Sequence, residues 1–145
     1  MMLFTEVRGL PVLSRDGGRR LGVVTSLTVD AASGVVSHLR FRAGRLRGET
    51  VLAWEAVRSL GPGAVRVGPV TARVGPVTAP DVVPPGHDLL GRRVLTEAGV
   101  EHGTVLDVAF DPRSGRVLAL FTTRGELSAG RMMGLGDHAL VVRAG

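Results

Sequence analysis

The sequence contains no cysteine, lysine, isoleucine, asparagine or tyrosine, and aromatic residues make up only 3% of its 145 residues. The absence of cysteine excludes disulfides, thiolate metal sites and thiol catalysis. The absence of lysine excludes a Walker-type phosphate loop, and neither a Gly-x-Ser-x-Gly motif nor a catalytic pair of carboxylates occurs. We therefore expect that the protein is not an enzyme and that it binds no cofactor.

Long apolar runs are also missing. No run approaches the roughly 18 residues that a membrane-spanning helix needs, so no membrane span is predicted. The first residues lack the basic region and following apolar stretch of a secretory signal. These two features lead us to predict a cytoplasmic protein.

The composition favours an all-β fold. Hydrophobic residues make up 44% of the chain, and with so few aromatics the core must consist mostly of Val, Leu and Ala. The chain also has 21 Gly and 8 Pro, which are typical of short strands separated by tight turns.

An internal repeat organises the chain. Residues 21–36 contain two β-rich runs that are joined by a turn beginning at Asp30 and ending at Gly34, and the pattern recurs 81 residues later in residues 102–117. The Asp side chain can accept hydrogen bonds from nearby amides, and Gly tolerates positive φ, so each copy predicts a β-hairpin. At this offset Leu27 corresponds to Val108, and Val29 corresponds to Phe110.

The repeat divides the chain into three parts. Residues 1–67 form repeat 1, residues 68–87 form a linker rich in Pro, Gly and Val, and residues 88–145 form repeat 2. The linker contains a nearly duplicated heptad, at 67–73 and 74–80, and its prolines favour extended backbone. We assign no chemistry to it.

The outward rows of the two hairpins differ. A period of two predicts a polar, solvent-facing row in repeat 1 that consists of Ser26, Thr28, His38, Arg40 and Arg42. The aligned row in repeat 2 is apolar and consists of Val117, Ala119 and Phe121. An apolar outer row on a small β-domain needs a cover. We therefore predict that this row lies in a contact between the barrels, within the chain or in a homodimer.

Several motifs resemble the PRC-barrel family. In repeat 1 they are Gly9-Leu10-Pro11-Val12, Leu21-Gly22-Val23-Val24, the Asp30 turn, and Ala56-Val57-Arg58-Ser59-Leu60-Gly61. Leu90-Gly91-Arg92-Arg93-Val94 through Val117 is similar to the same pattern, whereas Gly130 to Gly134 departs from it. The resemblance implies two small antiparallel β-barrels joined by the linker.

The resemblance also implies a function. Members of this family dock onto protein or ribonucleoprotein partners, and they share no catalytic residues. The expected function is therefore that of a non-enzymatic adaptor for a protein or ribonucleoprotein. The alternative is a direct RNA-binding module that uses the basic face of repeat 1.

The charge distribution supplies candidate partner-binding residues. Residues 1–67 hold ten Arg and five acids, whereas residues 88–145 hold seven of each, so the net charge of +5 belongs to repeat 1. The predicted partner-binding residues are Arg40, Arg42, Arg45 and Arg47 on one strand and its loop, with Arg15, Arg19 and Arg20 at the same or the opposite end. The competing interpretation is a solvated face in an arginine-biased sequence. No exposed aromatic platform accompanies the cluster, which weakens a single-stranded RNA interpretation.

The remaining polar motifs predict no site. The histidines, at positions 38, 87, 102 and 138, lack metal-ligand spacing among themselves, so we predict no metal. Gly134-Leu135-Gly136-Asp137-His138-Ala139 matches a dinucleotide-binding fingerprint by letter, but too few residues follow for the required helix. Trp54, the sole tryptophan, is expected to anchor the core or an interface.

Overall fold

The computed structural model describes residues 1–14, 18–44, 48–61, 63–68, 88–136 and 138–144. The chain begins with a short strand, β1 (Met2–Leu3), and one helical turn, α1 (Phe4–Val7). Nearly all the other regular elements are strands, and they form two curled sheets, one for each repeat. The predicted all-β fold class in two parts is confirmed.

Six strands form the sheet of repeat 1. They are β2 (Pro11–Ser14), β3 (Arg20–Asp30), β4 (Val35–Arg42), β5 (Glu49–Ala53), β6 (Val57–Leu60) and β7 (Val65–Val67). Their order across the sheet is β5-β4-β3-β2-β7-β6. Neighbouring strands are antiparallel except for β2 and β7, which run parallel.

The sheet of repeat 2 has the same plan. Its own strands are β8 (Arg93–Thr96), β9 (Glu101–Phe110), β10 (Val117–Thr122), β11 (Gly125–Ser128), β12 (Met132–Leu135) and β13 (Ala139–Val142). Their order is β11-β10-β9-β8-β13-β12, again with one parallel pair, β8 and β13. The cross-strand pair Leu27–Leu39 in repeat 1 corresponds to Val108–Leu120 in repeat 2, which agrees with the 81-residue offset.

Both predicted hairpin turns are present. The Asp30 carboxylate accepts a hydrogen bond from the amide of Ala32 at 3.1 Å, and Gly34 has φ +72°. In repeat 2 the Asp111 carboxylate accepts from the amide of Arg113 at 2.9 Å, and Gly115 has φ +78°. The local chemistry of Asp and Gly therefore ends one strand and starts the next in both copies.

Four β-bulges recur at equivalent places in the two repeats. The extra residues are Leu21, Thr25, Ser37 and Arg58 in repeat 1, and His102, Leu106, Leu118 and Met133 in repeat 2. The last three bulge residues of repeat 2 are exposed hydrophobic side chains, whereas their counterparts in repeat 1 are polar. Each bulge shifts the phase of the side-chain alternation, so a strict period of two does not hold along these strands.

The predicted solvent-facing row of repeat 1 is partly wrong. Thr28 is fully buried and Arg40 is only 7% exposed. His38, Arg40 and Arg42 alternate in unbroken register along β4, but the start of repeat 2 covers part of this row, since Thr28 forms an isolated antiparallel bridge with Asp88. Arg42 is the member of the row that is exposed.

The two repeats share one hydrophobic core. The buried side chains of both sheets form a single continuous cluster. Phe110 of repeat 2 lies between two aromatic rings of repeat 1, with Phe4 at 5.2 Å and Trp54 at 6.2 Å, both edge-to-face. A repeat of this size buries little apolar surface alone, so the shared core supplies what each half lacks.

The two repeats also exchange their leading segments. β1 pairs antiparallel with the end of β9, although it precedes repeat 1 in the chain. The Thr5 amide and hydroxyl, just beyond β1, donate to the Asp107 carboxylate of repeat 2 at 3.2 and 2.5 Å. In the opposite direction, Asp88 at the start of repeat 2 bridges to Thr28 of β3. Residues 1–5 thus pack against the second sheet. The division at residue 67 that the sequence suggests therefore does not separate two independent cores.

Candidate partner-binding groove

A groove of about 610 Å³ lies where β3 begins and β4 ends. It is lined by Arg20, Leu21, Gly22, Val23, Thr25, Arg42, Ala43 and Gly44. Its volume falls in the range of about 300–1,000 Å³ that is usual for binding sites. The groove belongs to repeat 1, in the half of the chain that carries the excess positive charge.

The strand geometry explains the shape of the groove. A Cβ atom at Gly22 would lie 2.5 Å from the carbonyl oxygen of Arg42, so only glycine allows β3 and β4 to approach this closely. Leu21 is an extra residue opposite β2, where the pairing shifts between Val12 and Leu13. The close approach and the bulge together place Arg42 of β4 and Arg20 of β3 around the same opening.

Two arginines give the groove its charge. Arg20 and Arg42 are both exposed, and neither forms an ion pair with any acidic residue in the part of the chain that the structure describes. Glu49 lies opposite Arg42 on β5, but its carboxylate accepts a hydrogen bond from the Thr25 hydroxyl. Both guanidinium groups thus remain available to an external anion.

Repeat 2 has no such pair of arginines at the equivalent place. The residues that correspond to Arg20 and Arg42 are Glu101 and Thr123, and the Glu101 carboxylate is 3.5 Å from Nε of Arg93. A Cβ at Gly103, the counterpart of Gly22, would collide with the Thr123 hydroxyl. The loop after β10 is four residues shorter than the loop after β4, so the chain turns back over this position. The arginine pair at this place is specific to repeat 1.

The predicted basic residues lie in different environments. Arg20 and Arg42 line the groove, and Arg19 is exposed beside Arg20. Arg15, Arg45 and Arg47 lie outside the described residues. The expectation that Arg40 projects into solvent beside Arg42 is wrong, because the leading segment of repeat 2 covers it.

Arg40 instead pairs with Asp88 across the junction between the repeats. Its Nη1 lies 3.9 Å from the Asp88 carboxylate. Burial raises the pKa of Asp88 above its ordinary value of 3.8, nearby Glu49 raises it further, and Arg40 opposes this shift. The side chain of Arg92 donates to the Asp88 carbonyl at 3.2 Å and fixes the turn into repeat 2. The role of Arg40 in this fold is therefore to hold repeat 2 against repeat 1.

The predicted apolar contact row divides as well. Val117 is 3% exposed and donates its amide to the carbonyl of Gly34 at 2.8 Å, so it lies at the junction of the repeats. Ala119 and Phe121 are partly exposed on β10. A second chain that covers these two residues stays a prediction.

Other candidate residues are explained by the junction. Trp54 packs against the turn of repeat 2, where a Cβ at Gly115 would lie 2.7 Å from its Nε1, so the expected interface anchor is confirmed.

Among the described residues, no group of three His, Asp or Glu side chains could hold a metal ion. In the same part of the chain, no helix is long and apolar enough to cross a membrane. Sequence reasoning missed Asp88, whose nearest signal was its position at the start of the second repeat.

The fold is that of a tandem β-domain with a basic groove in repeat 1. The family model of the PRC-barrel domain matches the chain twice, at residues 1–73 and at residues 85–141. The chain therefore belongs to the PRC-barrel family and contains two copies of the domain, as its motifs predicted. No curated protein matches the chain.

Proposed function

We propose that this protein is a cytoplasmic, non-enzymatic adaptor that docks onto a protein or ribonucleoprotein partner through the basic groove of repeat 1. The observation that carries this proposal is the asymmetry of the two repeats. They share strand order, hairpins and bulges, yet only repeat 1 places two exposed arginines at this position, and neither forms an ion pair with a described acidic residue. A difference confined to one copy favours a binding role over a general feature of the fold.

Membership of the PRC-barrel family supports a docking role, since these domains act as protein-interaction modules. The chemistry of the sequence points the same way, because the chain has no cysteine, no lysine and no motif that would supply a nucleophile with its base. The groove offers guanidinium groups, one hydroxyl and an apolar floor, which are groups that recognise rather than react.

The experiment is copurification from cells with and without nuclease. Tagged wild-type protein is compared with the double variant Arg20→Ser/Arg42→Ser and with a control, Arg113→Ser/Arg124→Ser, which removes the same charge from exposed positions of repeat 2. We expect a protein partner that survives nuclease, is lost from the groove variant and is retained by the control. Equal recovery of the partner by all three proteins would contradict the proposal.

The alternative is a direct RNA-binding module that uses the same groove. The local excess of arginine in residues 1–67 favours it, because guanidinium groups bind phosphates well. The groove lining contains no aromatic ring on which a base could stack. In the copurification, an RNA signal that depends on Arg20 and Arg42, with no protein left after nuclease, would favour this alternative.

A further inference from the structure

We propose that the occupant of the basic groove is an extended acidic segment of a protein, with two carboxylates four residues apart and an apolar side chain midway between them, all three on one face of the segment. This inference rests on the proposed adaptor function and names the chemistry of its partner. It follows from the spacing of the two arginines, from the lining between them and from what surrounds them.

The spacing of the arginines sets the spacing of the carboxylates. Arg42 lies directly opposite Val23, and Arg20 lies three residues before Val23 on the same strand. At about 3.3 Å per residue, the two Cα atoms are separated by no more than about 10 Å along the strand direction, and the neighbouring strands lie about 5 Å apart. Side chains of an extended peptide alternate between its two faces, so residues i, i+2 and i+4 share a face, and i and i+4 span about 13 Å. Because Arg and Glu side chains are long and flexible, one extended segment can place a carboxylate at each guanidinium and an apolar side chain between them.

The lining between the arginines selects an apolar side chain. Leu21 and Val23 are half-buried, and Ala43 and Gly44 leave the opposite wall without bulk. An aliphatic side chain placed here would cover Leu21 and Val23, at about 25 cal/mol for each Å² of apolar surface removed from water. Purely ionic ligands would leave this floor uncovered, so the groove fits a mixed acidic and apolar segment best.

The surroundings favour carboxylates over nucleic acid. Each guanidinium can hold a carboxylate with two parallel hydrogen bonds, and neither Arg20 nor Arg42 forms an ion pair with an acidic residue among the described residues. The rest of the lining offers no aromatic ring, so a nucleotide would gain contacts only at its phosphates. Two phosphate contacts give weak, strongly salt-dependent binding.

The inference can be tested with short labelled peptides and the full-length protein. The first peptide has the central sequence Glu-Ala-Leu-Ala-Glu in a Gly/Ser context, the second replaces both Glu with Gln, and the third replaces Leu with Gly. Fluorescence anisotropy is measured for each, and also for a structured RNA hairpin, at two salt concentrations. The proteins are wild type, Arg20→Ser/Arg42→Ser and the control Arg113→Ser/Arg124→Ser, all checked by thermal melting.

Wild type and the control should bind the first peptide best, and loss of both arginines or of both glutamates should weaken binding roughly tenfold. Replacing Leu with Gly should also weaken the binding of the peptide to wild type. An ionic contact alone would not produce this effect. Equal binding of the Glu and Gln peptides, or tighter groove-dependent binding of the RNA hairpin, would overturn the inference. If the peptides do not bind while copurification of a cellular protein still requires Arg20 and Arg42, the adaptor function stands and only the proposed partner chemistry is wrong.

Discussion

Val36 of the first hairpin donates its backbone amide to the carbonyl of Gly115 in the second hairpin, at 2.8 Å. The reciprocal bond runs from the amide of Val117 to the carbonyl of Gly34, also at 2.8 Å. The two donors are related by the 81-residue offset, and so are the two acceptors, so the two repeats face each other across an approximate twofold axis. The junction thus uses the same surface of each repeat, as an isologous dimer interface does.

The first prediction concerns the Gly115 turn at this junction. Gly115→Ala adds a Cβ in a left-handed conformation and within 2.7 Å of the Trp54 indole nitrogen. Gly99→Ala is the control, because Gly99 also has positive φ, at +82°, but its Cβ would meet nothing within 4 Å. Backbone strain of about 1–2 kcal/mol is common to both variants, so any additional loss measures the contact.

Urea unfolding should therefore show a larger loss of unfolding free energy for Gly115→Ala than for Gly99→Ala. The fluorescence of Trp54, the sole tryptophan, should change only in Gly115→Ala. Matching stabilities and unchanged emission in both variants would show that the Trp54 contact contributes nothing.

The second prediction separates two arginines that are two residues apart on β4. Arg40→Ser leaves Asp88 without its ion-pair partner at the junction and should cost about 1–3 kcal/mol of stability, visible as a fall of several degrees in Tm. Arg42→Ser should leave Tm nearly unchanged, because exposed charges contribute little to folding, but should weaken partner binding. The reverse assignment, with Arg42 controlling stability and Arg40 controlling binding, would refute this division of roles.

The third prediction concerns pH and Asp88. Burial raises the pKa of this carboxyl in the folded chain, so the folded state holds the proton more tightly than the unfolded state. Its contribution to stability is then fully present below the unfolded value near 3.8 and is lost as pH rises through the raised folded pKa. In Asp88→Asn this decline with rising pH should disappear from the pH profile of the unfolding free energy.

Asp111 provides a control of opposite sign. A hydrogen bond from the amide of Arg113 lowers the pKa of Asp111, so its contribution is present above pH 3.8 and is lost as pH falls through the lower folded value. Asp111→Asn should therefore remove the loss of unfolding free energy that occurs as pH falls. Asp88→Asn should instead remove the loss that occurs as pH rises. Parallel profiles for wild type and both variants would rule out the two pKa shifts.

The fourth prediction addresses the partly exposed residues of β10. If a second chain covers Ala119 and Phe121, Phe121→Arg should lower the melting temperature and reduce the molecular mass measured by light scattering. Leu118→Arg is the control, because Leu118 is a bulge residue that is already 43% exposed. An unchanged mass and Tm in Phe121→Arg would mean that no such contact exists.

The fifth prediction concerns the shared core. Phe4 is 3% exposed and touches Phe110 of the other repeat, so Phe4→Ala should cost about 3–5 kcal/mol. Because the two repeats share this core, wild type should unfold in one cooperative step. In Phe4→Ala the unfolding transitions of both repeats should shift together. Separate transitions for the two repeats would contradict a single core.

Local residue chemistry predicted much of this fold. The turns at Asp30 and Asp111 depend on side-chain acceptors and a glycine within five residues, and such short-range features can be predicted from the sequence alone. The equal offset of the two hairpins predicted the register of Leu27 with its counterpart Val108. These contacts require no knowledge of how the repeats pack.

Features that depend on packing could not be predicted. Arg40 is predicted to face solvent because it alternates with the core residues Leu39 and Phe41 along β4, and this alternation is correct. Its burial depends on Asp88, which is close to Arg40 only after the second repeat has docked. For the same reason, the groove was predicted only as scattered arginines: Arg20 and Arg42 are 22 positions apart in sequence and meet through strand pairing.

The exchanged leading segments have a consequence for synthesis of the chain. Thr5 and its partner Asp107 are 102 residues apart. At the usual ribosomal speed of about 5–20 residues per second, roughly 5–20 s pass between the synthesis of the two. During that time the ring of Phe4 cannot reach Phe110, so the nascent chain carries an uncovered aromatic side chain beside an unfinished sheet. Residues 1–5 are thus synthesised well before β9 and reach their final contacts only after it exists.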